Sequence, residues 1–116
     1  MNHSLRACIA NIAARLAGHS TNSSVYCYTQ GKHISVSGTV TSFAVNLYDH
    51  DRGAHISGSP GNLYDYGGGA HITLEINGND FKGYDYGSGS HYSGIMNAGS
   101  VQVYDYETGQ HHSFTV

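Results

Sequence analysis

Residues 64–71 read YDYGGGAH, and this phrase of Tyr, Asp, Tyr, two free residues, Gly, one free residue and His occurs five times in the chain. Cys27 replaces the Asp in the first copy, and His50 replaces the second Tyr in the second copy. The copies begin at Tyr26, Tyr48, Tyr64, Tyr84 and Tyr104. A phrase repeated every twenty residues or so predicts a repeat architecture, in which no single His or Asp is an isolated centre.

Each copy of the phrase has the pattern of a β-hairpin. The two free residues and the Gly are typical of a type I turn closed by a left-handed Gly, the G1-bulge hairpin. The opposite ends carry turn signals as well, at residues 59–61, 77–78 and 97–99. Residues 25–116 are therefore predicted to form an antiparallel meander of five hairpins, with about ten short strands. Both an open sheet and a closed barrel satisfy the pattern, and an open sheet would leave edges at the strands of residue 25 and residues 113–116.

Residues 4–17 are predicted to form the only helix. Asn2 or Ser4 can cap its start and Gly18 suits its end. Apolar side chains recur along one stripe at helical spacing: Leu5, Cys8, Ile9, Ile12, Ala13 and Leu16. We expect a single mainly β domain, residues 1–116, with this amphipathic helix packed on one face of the sheet. The alternative, an anchor on a membrane surface, would have only Arg6 and Arg15 to attract lipid headgroups.

The charge of the chain restricts the expected partners. It contains 5 Lys and Arg against 8 Asp and Glu, a net charge of -3, and charged residues make up 11%. Binding to a phosphate backbone needs clustered Lys and Arg, so no nucleic-acid partner is expected. No apolar stretch approaches the ~18 residues of a membrane span, so no transmembrane segment is expected either. Without a convincing signal peptide the sequence does not establish the localisation: the cytoplasm is the default, and export by another route is the alternative.

Pairing across the turns predicts which side chains share a face. In a G1-bulge hairpin, the Asp before the turn pairs with the His after it, which would give a polar Asp/His ladder on one face. The first Tyr of each repeat would then share the other, more apolar face with Ile34, Ile56 and Ile72, and this face would seat the helix. The predicted pairs are Asp49 with His55, Asp65 with His71, Asp85 with His91, and Asp105 with His111.

The Asp/His ladder has three interpretations. In the structural interpretation, the paired side chains satisfy one another and fix the register of the strands. In the second, the same eight residues bind a divalent metal such as zinc, which is the only cofactor that the sequence suggests. In the third, a Ser completes a catalytic triad, but the constellation recurs four times without a singular copy. We therefore expect no enzymatic activity.

The tyrosines form two columns along the repeats. The first Tyr of each copy is expected to pack in a cross-strand aromatic ladder. The second column lies at the edge of the turn and is the better candidate for contact with a ligand or partner: Tyr28, His50, Tyr66, Tyr86 and Tyr106. Tyr beside Asp and Asn is common in sugar-binding sites, which makes carbohydrate one candidate ligand.

The phrase YDYxxGxH, followed by Ser-Gly at residues 57–58 and 93–94, resembles a group of short, uncharacterised bacterial proteins built from the same phrase. This resemblance covers residues 25–116 and implies a β-rich repeat fold without a known activity. Curlin repeats of bacterial amyloid fibres are more distantly similar, in length and in phrases such as residues 63–69. This chain has Asp and His where curlin repeats have Gln and Asn ladders. MORN repeats are also Tyr/Gly-rich hairpins of this size, and their Trp and Glu positions are missing here.

The repeats, the low charge and the edges of an open sheet together predict a function. Unprotected edges invite strand addition between chains. We therefore expect a non-enzymatic structural or interaction protein that self-associates through its sheet into a homo-oligomer or polymer. The alternative is a module that binds a metal ion or a carbohydrate through the repeated Tyr, Asp and His side chains.

Overall fold

The computed structural model describes residues 1–116 and confirms a mainly β fold with one N-terminal helix, α1 (His3–Leu16). Eleven strands follow the helix and are antiparallel to their neighbours. They are β1 (Ser24–Cys27), β2 (Lys32–Val40), β3 (Val45–Asp49), β4 (Ala54–Ser59), β5 (Asn62–Asp65), β6 (Ala70–Thr73), β7 (Glu75–Asn77), β8 (Asp80–Asp85), β9 (Ser90–Asn97), β10 (Ser100–Asp105) and β11 (Gln110–Thr115). The five predicted hairpins are all present.

Ten of these strands form a closed barrel. The first and last strands, β1 and β11, pair with each other through Cys27 and Phe114, and β6 pairs with β8 through Ile72 and Asp85. The extra strand, β7, continues the register of β6 beyond the barrel and has a hydrogen-bonded neighbour on one side only, β8. The edges expected of an open sheet, at residue 25 and residues 113–116, are therefore joined to each other.

Helix α1 lies inside the barrel and not on one face of a sheet. Every residue from Ser4 to Ala14 is buried, including Arg6, which lies off the predicted apolar stripe. Side chains alone fill a barrel of about eight strands, whereas ten strands leave room for a narrow helix. The chain supplies such a helix, because alanines occupy the positions between its larger apolar residues: Ala7, Ala10, Ala13 and Ala14.

The ends of α1 follow the predicted capping pattern. The side chain of Asn2 accepts hydrogen bonds from the backbone N–H groups of Ser4 and Leu5. Gly18 adopts a left-handed conformation just after the helix, with φ of 79°. The fold contains no helix that is both long and apolar enough to cross a membrane.

Glycines in the wall make room for the largest side chains of the core. A Cβ atom at Gly94 would lie 2.1 Å from the ring of Phe81, and one at Gly83 would lie 1.9 Å from the carbonyl oxygen of Thr73. The buried Tyr92 donates a hydrogen bond of 2.5 Å to that same oxygen. Gly94 and Gly83 therefore leave the space that the side chains of Phe81 and Tyr92 occupy.

Candidate functional site

The five YDYxxGxH turns all lie at one end of the barrel, which we call the turn end. They join β1 to β2, β3 to β4, β5 to β6, β8 to β9, and β10 to β11. In each turn the Gly is left-handed, with φ between 64° and 70°. Its N–H group donates to the carbonyl oxygen four residues earlier, as from Gly53 to Asp49 at 2.8 Å. The predicted left-handed Gly is confirmed.

The turns contain four residues and not the three of a G1-bulge hairpin. Relative to the strand before each turn, the strand after it therefore has its two faces exchanged compared with the prediction. His71 pairs with Tyr64, and Asp65 pairs with Ala70. Because side chains alternate across a strand, a shift of one residue places Asp inside the barrel and His outside. The predicted cross-strand pairs are therefore wrong in all four repeats: Asp49 with His55, Asp65 with His71, Asp85 with His91, and Asp105 with His111.

The barrel wall divides the eight residues that the sequence predicted as metal ligands. The four aspartates are buried and the four histidines are exposed. No group of three or more His, Cys, Asp or Glu side chains lies where it could hold a metal ion. The predicted ladder thus separates into an inner and an outer structure at the turn end.

The inner structure is an aspartate ring around the start of α1, formed by Asp49, Asp65, Asp85 and Asp105. Arg52 bridges two members of this ring. Its Nε donates to Asp49 Oδ2 at 2.6 Å, and its two Nη atoms donate to the two oxygens of Asp65 at 2.9 Å each. From the helix, Arg6 Nη1 donates to Asp105 Oδ2 at 2.9 Å. Three of the four aspartates are thus bound to arginines.

Burial and ion pairing have opposite effects on the pKa values of these groups. Burial raises the pKa of Asp105, but the N–H of Glu107, the amino group of Met1 and the guanidinium of Arg6 outweigh it, and the pKa lies below its usual value. Burial likewise lowers the pKa of Arg52, but its hydrogen bonds to the two aspartates prevail and raise it. The ion pairs therefore favour the charged forms of Asp105 and Arg52.

Sequence reasoning missed both arginines of this ring. Arg6 is off the apolar stripe of α1, and such a residue is usually solvated. Arg52 occupies a free position of the repeat phrase, where the other copies have Gln30, Gly68, Ser88 and Thr108. In the sequence, Arg52 follows Asp49 by three residues, whereas nothing local connects Arg6 with Asp105, 99 residues away.

The outer structure is an aromatic belt of five clusters, each containing the first Tyr, the second-column residue and the His of one repeat. In every cluster, the ring of the first Tyr meets both other rings edge to face, with centroids 4.7 to 4.9 Å apart. The second-column tyrosines, Tyr28, Tyr66, Tyr86 and Tyr106, are about 60% exposed. Large aromatic side chains repeated on a surface at this exposure are typical of a contact site.

The belt opens into a groove where the β7–β8 hairpin stands beside it. Two adjoining cavities of about 420 and 570 Å³ share Glu75, Lys82 and Ser93 in their linings. Together they form an elongated depression that we call the outer groove. The belt contributes three tyrosines to its lining: Tyr84, Tyr104 and Tyr106.

The polar side chains of the outer groove are free to bind a ligand. Glu75 and Lys82 project from neighbouring positions of β7 and β8, and Gln102 projects from β10. These three side chains are exposed and make no hydrogen bond or ion pair within the chain. The same is true of His91 and His111 of the belt. The groove therefore combines aromatic surfaces with unpartnered donors and acceptors.

Comparisons with family models, curated proteins and solved structures found no match to this chain. The likeness to short proteins with YDYxxGxH repeats stays a prediction.

Proposed function

We propose that this protein is a non-enzymatic binding module that holds a carbohydrate in the outer groove. The observation that carries the proposal is the set of unpartnered polar side chains beside Tyr84, Tyr104 and Tyr106. Sugar rings present apolar C–H faces, which pack on aromatic rings, and hydroxyl groups, which hydrogen-bond to carboxylate, amide and imidazole groups. A cavity of about 420 Å³ also falls within the usual size range of small-molecule sites.

The division by the barrel wall supports a non-enzymatic role. A Ser–His–Asp triad would need the three side chains in one hydrogen-bonded chain. In the fourth repeat, His91 and Ser93 face outward, whereas Asp85 faces the interior. The outward His and Ser side chains can thus contact a ligand, but they lack the Asp that would complete a triad.

A titration with soluble tetrasaccharides tests the proposal. The panel contains β-linked glucose, β-linked N-acetylglucosamine, α-linked mannose and β-linked xylose, and binding is followed through the backbone amide signals of β7 to β10. We expect saturable shifts with at least one tetrasaccharide. Tyr104→Ala should weaken binding about tenfold, since the loss of one aromatic contact of about 1.4 kcal/mol changes the affinity by that factor.

Tyr64→Ala is the matched control, because Tyr64 holds the same position in the third repeat but lies outside the groove. It should bind like the wild type. The proposal fails if no tetrasaccharide gives saturable shifts, or if the two substitutions weaken binding equally.

Self-association is the second candidate function, and the free edge of β7 favours it. Closure of the barrel leaves this three-residue strand, Glu75–Asn77, as the one strand with a neighbour on a single side. Strand addition at this edge would pair two copies and end there. Light scattering on a sizing column tests this candidate: it predicts a dimer that Asn77→Lys converts to a monomer, and a monomeric wild type at high concentration rules it out.

A further inference from the structure

A third cavity opens at the turn end, on the other side of the wall from the outer groove. It has a volume of about 430 Å³ and lies between the β5–β6 and β8–β9 turns. Exposed glycines of the two turns, Gly67, Gly68 and Gly87, surround its mouth, and it is also lined by Leu5 of α1 and by residues 1–2, which precede the helix. Asp65 and Asp85 of the aspartate ring line its walls.

Asp85 is the one member of the aspartate ring without a cationic partner. Its side chain is 4% exposed, and its Oδ1 atom accepts a single hydrogen bond of 3.0 Å from the N–H of Gly87. No Lys, Arg or His nitrogen lies within 4.0 Å of it, and its Oδ2 atom accepts no hydrogen bond. Another lining residue, Ser88, has a fully buried hydroxyl oxygen without any hydrogen-bond partner. At this cavity a buried carboxylate thus lacks a cationic partner, and a buried hydroxyl lacks any hydrogen-bond partner.

The neighbouring turn of the same barrel shows what such a position can hold. Arg52 extends from the β3–β4 turn to Asp65 of the next repeat, where its guanidinium binds both carboxylate oxygens. The group passes against Gly67, at which a Cβ atom would lie 2.7 Å from Arg52 Nη1. Ala54 lies on the same side, 3.1 Å from that Cβ position.

One turn further along the barrel, the same surroundings recur without the arginine. Gly87 and Ala70 occupy the repeat positions of Gly67 and Ala54, and a Cβ atom at Gly87 would lie 3.4 Å from Ala70 Cβ. The position that corresponds to Arg52 is Gly68, so no side chain extends from this turn to Asp85. Arg52 lines the cavity from the side of Asp65, with which it forms its ion pair, and it forms none with Asp85.

We infer that this cavity binds a guanidinium group, supplied by a small molecule or by the arginine side chain of a partner. The guanidinium donates to both oxygens of Asp85, as Arg52 does to Asp65, and to the Ser88 hydroxyl. Planar guanidinium matches a carboxylate in two parallel hydrogen bonds, which an ammonium group cannot form. Pairing also relieves the cost of a buried carboxylate without a cation. This inference does not depend on the outer groove.

The test uses methylguanidinium chloride as the probe and follows the backbone amide signals of the two turns. We expect saturable shifts at Gly67, Gly68, Gly87 and Ser88, with sodium chloride and tetramethylammonium chloride at equal ionic strength as blanks. Asp85→Asn should weaken binding at least tenfold. Asp80→Asn, which removes an exposed carboxylate from the opposite end of β8, should leave binding unchanged.

A second variant keeps the test decisive if Asp85→Asn fails to fold. Gly68→Arg places an arginine where the second repeat has Arg52, so the protein should fill its own cavity, lose methylguanidinium binding and melt at a higher temperature. Gly68 has no positive φ, which makes the substitution compatible with its backbone. The nearest obstacle is the carboxylate end of Asp65, 2.9 Å from the added Cβ.

A short capped peptide, Gly-Arg-Gly, distinguishes the two sources of the group. Binding at least tenfold tighter than that of methylguanidinium indicates an arginine of a partner chain, and equal or weaker binding indicates a small molecule. The inference is overturned if methylguanidinium and the peptide both give no saturable shifts, or if Asp85→Asn binds either probe as the wild type does.

Discussion

The inner and outer sides of the barrel wall at the turn end are built from the same repeat phrase, yet they differ in almost every physical respect. Inside, Asp49, Asp65 and Asp105 are buried and fixed by arginines. Outside, the second-column Tyr residues and the His residues are exposed, and groove residues such as Lys82 have no partner. One motif thus serves the fold with its Asp and presents its Tyr and His for contact. Substitutions on the inner side should change stability, and those on the outer side should change binding.

The largest effect is expected from the buried ion pair of Arg6. Arg6→Met leaves Asp105 buried with weaker partners, and removal of one member of a buried pair costs about 3–5 kcal/mol of unfolding free energy. Lys32→Met breaks an ion pair of 2.8 Å with Asp51, in which the Lys32 side chain is 46% exposed. It should cost about 0–1 kcal/mol. Urea unfolding of both variants measures the difference, and equal costs would contradict a buried position for Arg6.

Two isoleucines test the packing of the helix inside the barrel. Ile9 of α1 is 0% exposed, whereas Ile95 on the outer side of β9 is 58% exposed. Ile9→Ala should therefore cost about 2–4 kcal/mol, because it removes core contacts and leaves a cavity. Ile95→Ala should change the unfolding free energy by about 0.5 kcal/mol at most. A cost of Ile9→Ala as small as that of Ile95→Ala would contradict the burial of Ile9 in the core.

The smallest expected effect is a change in how the unfolding free energy depends on pH. Two adjacent histidines, His111 outside the barrel and His112 inside it, allow the effect of a buried imidazole to be compared with that of an exposed one. His112 faces inward beside His3, Arg6 and Asp105. Its Nδ1 atom forms a hydrogen bond of 2.8 Å with Oγ1 of Thr29. Burial lowers the pKa of His112, and the charge of Arg6 lowers it further. The unfolded state therefore binds a proton at this residue more readily than the folded state does. The unfolding free energy is accordingly unaffected by His112 above about pH 6.5 and decreases as the pH falls toward the folded-state pKa.

Replacement of His112 should accordingly flatten the loss of stability in mild acid. Unfolding free energies of His112→Asn are measured at pH 7, 6 and 5 and compared at each pH with those of His111→Asn, whose side chain lies outside the barrel. This control subtracts the general effect of losing one imidazole. A steeper acid dependence in His112→Asn than in His111→Asn would show that the sign of the pKa shift is wrong.

Local features of the sequence were sufficient for the hairpins but not for their exact pairing. The repeated Gly predicted the left-handed turns, in which every such Gly has a positive φ. Whether the second-column residue ends the strand or begins the turn is not visible locally, because three- and four-residue turns both place a left-handed Gly before the His. Because of that one-residue ambiguity, the sequence predicted the repeated His side chains on the same face as the aspartates, whereas they lie on the outer face.

The closure of the barrel and the position of the helix depend on contacts between distant residues. Cys27 and Phe114 are brought together by the twist and stagger of all ten strands, for which no local pattern exists. The apolar stripe of α1 correctly predicted one packed side. The small Ala7, Ala10 and Ala14 on the other sides were the signal that the whole circumference could be enclosed.

The most direct measurement of the division across the wall is the unfolding free energy of two variants in one repeat, Asp65→Asn and His71→Asn. Asp65 is bound inside by Arg52 through two hydrogen bonds of 2.9 Å, and His71 is exposed outside. We expect Asp65→Asn to cost about 2–3 kcal/mol, since it removes a charge-assisted pair from a buried site, and His71→Asn to cost about 0.5 kcal/mol or less. Equal losses in the two variants would contradict the assignment of Asp to the interior and His to the surface.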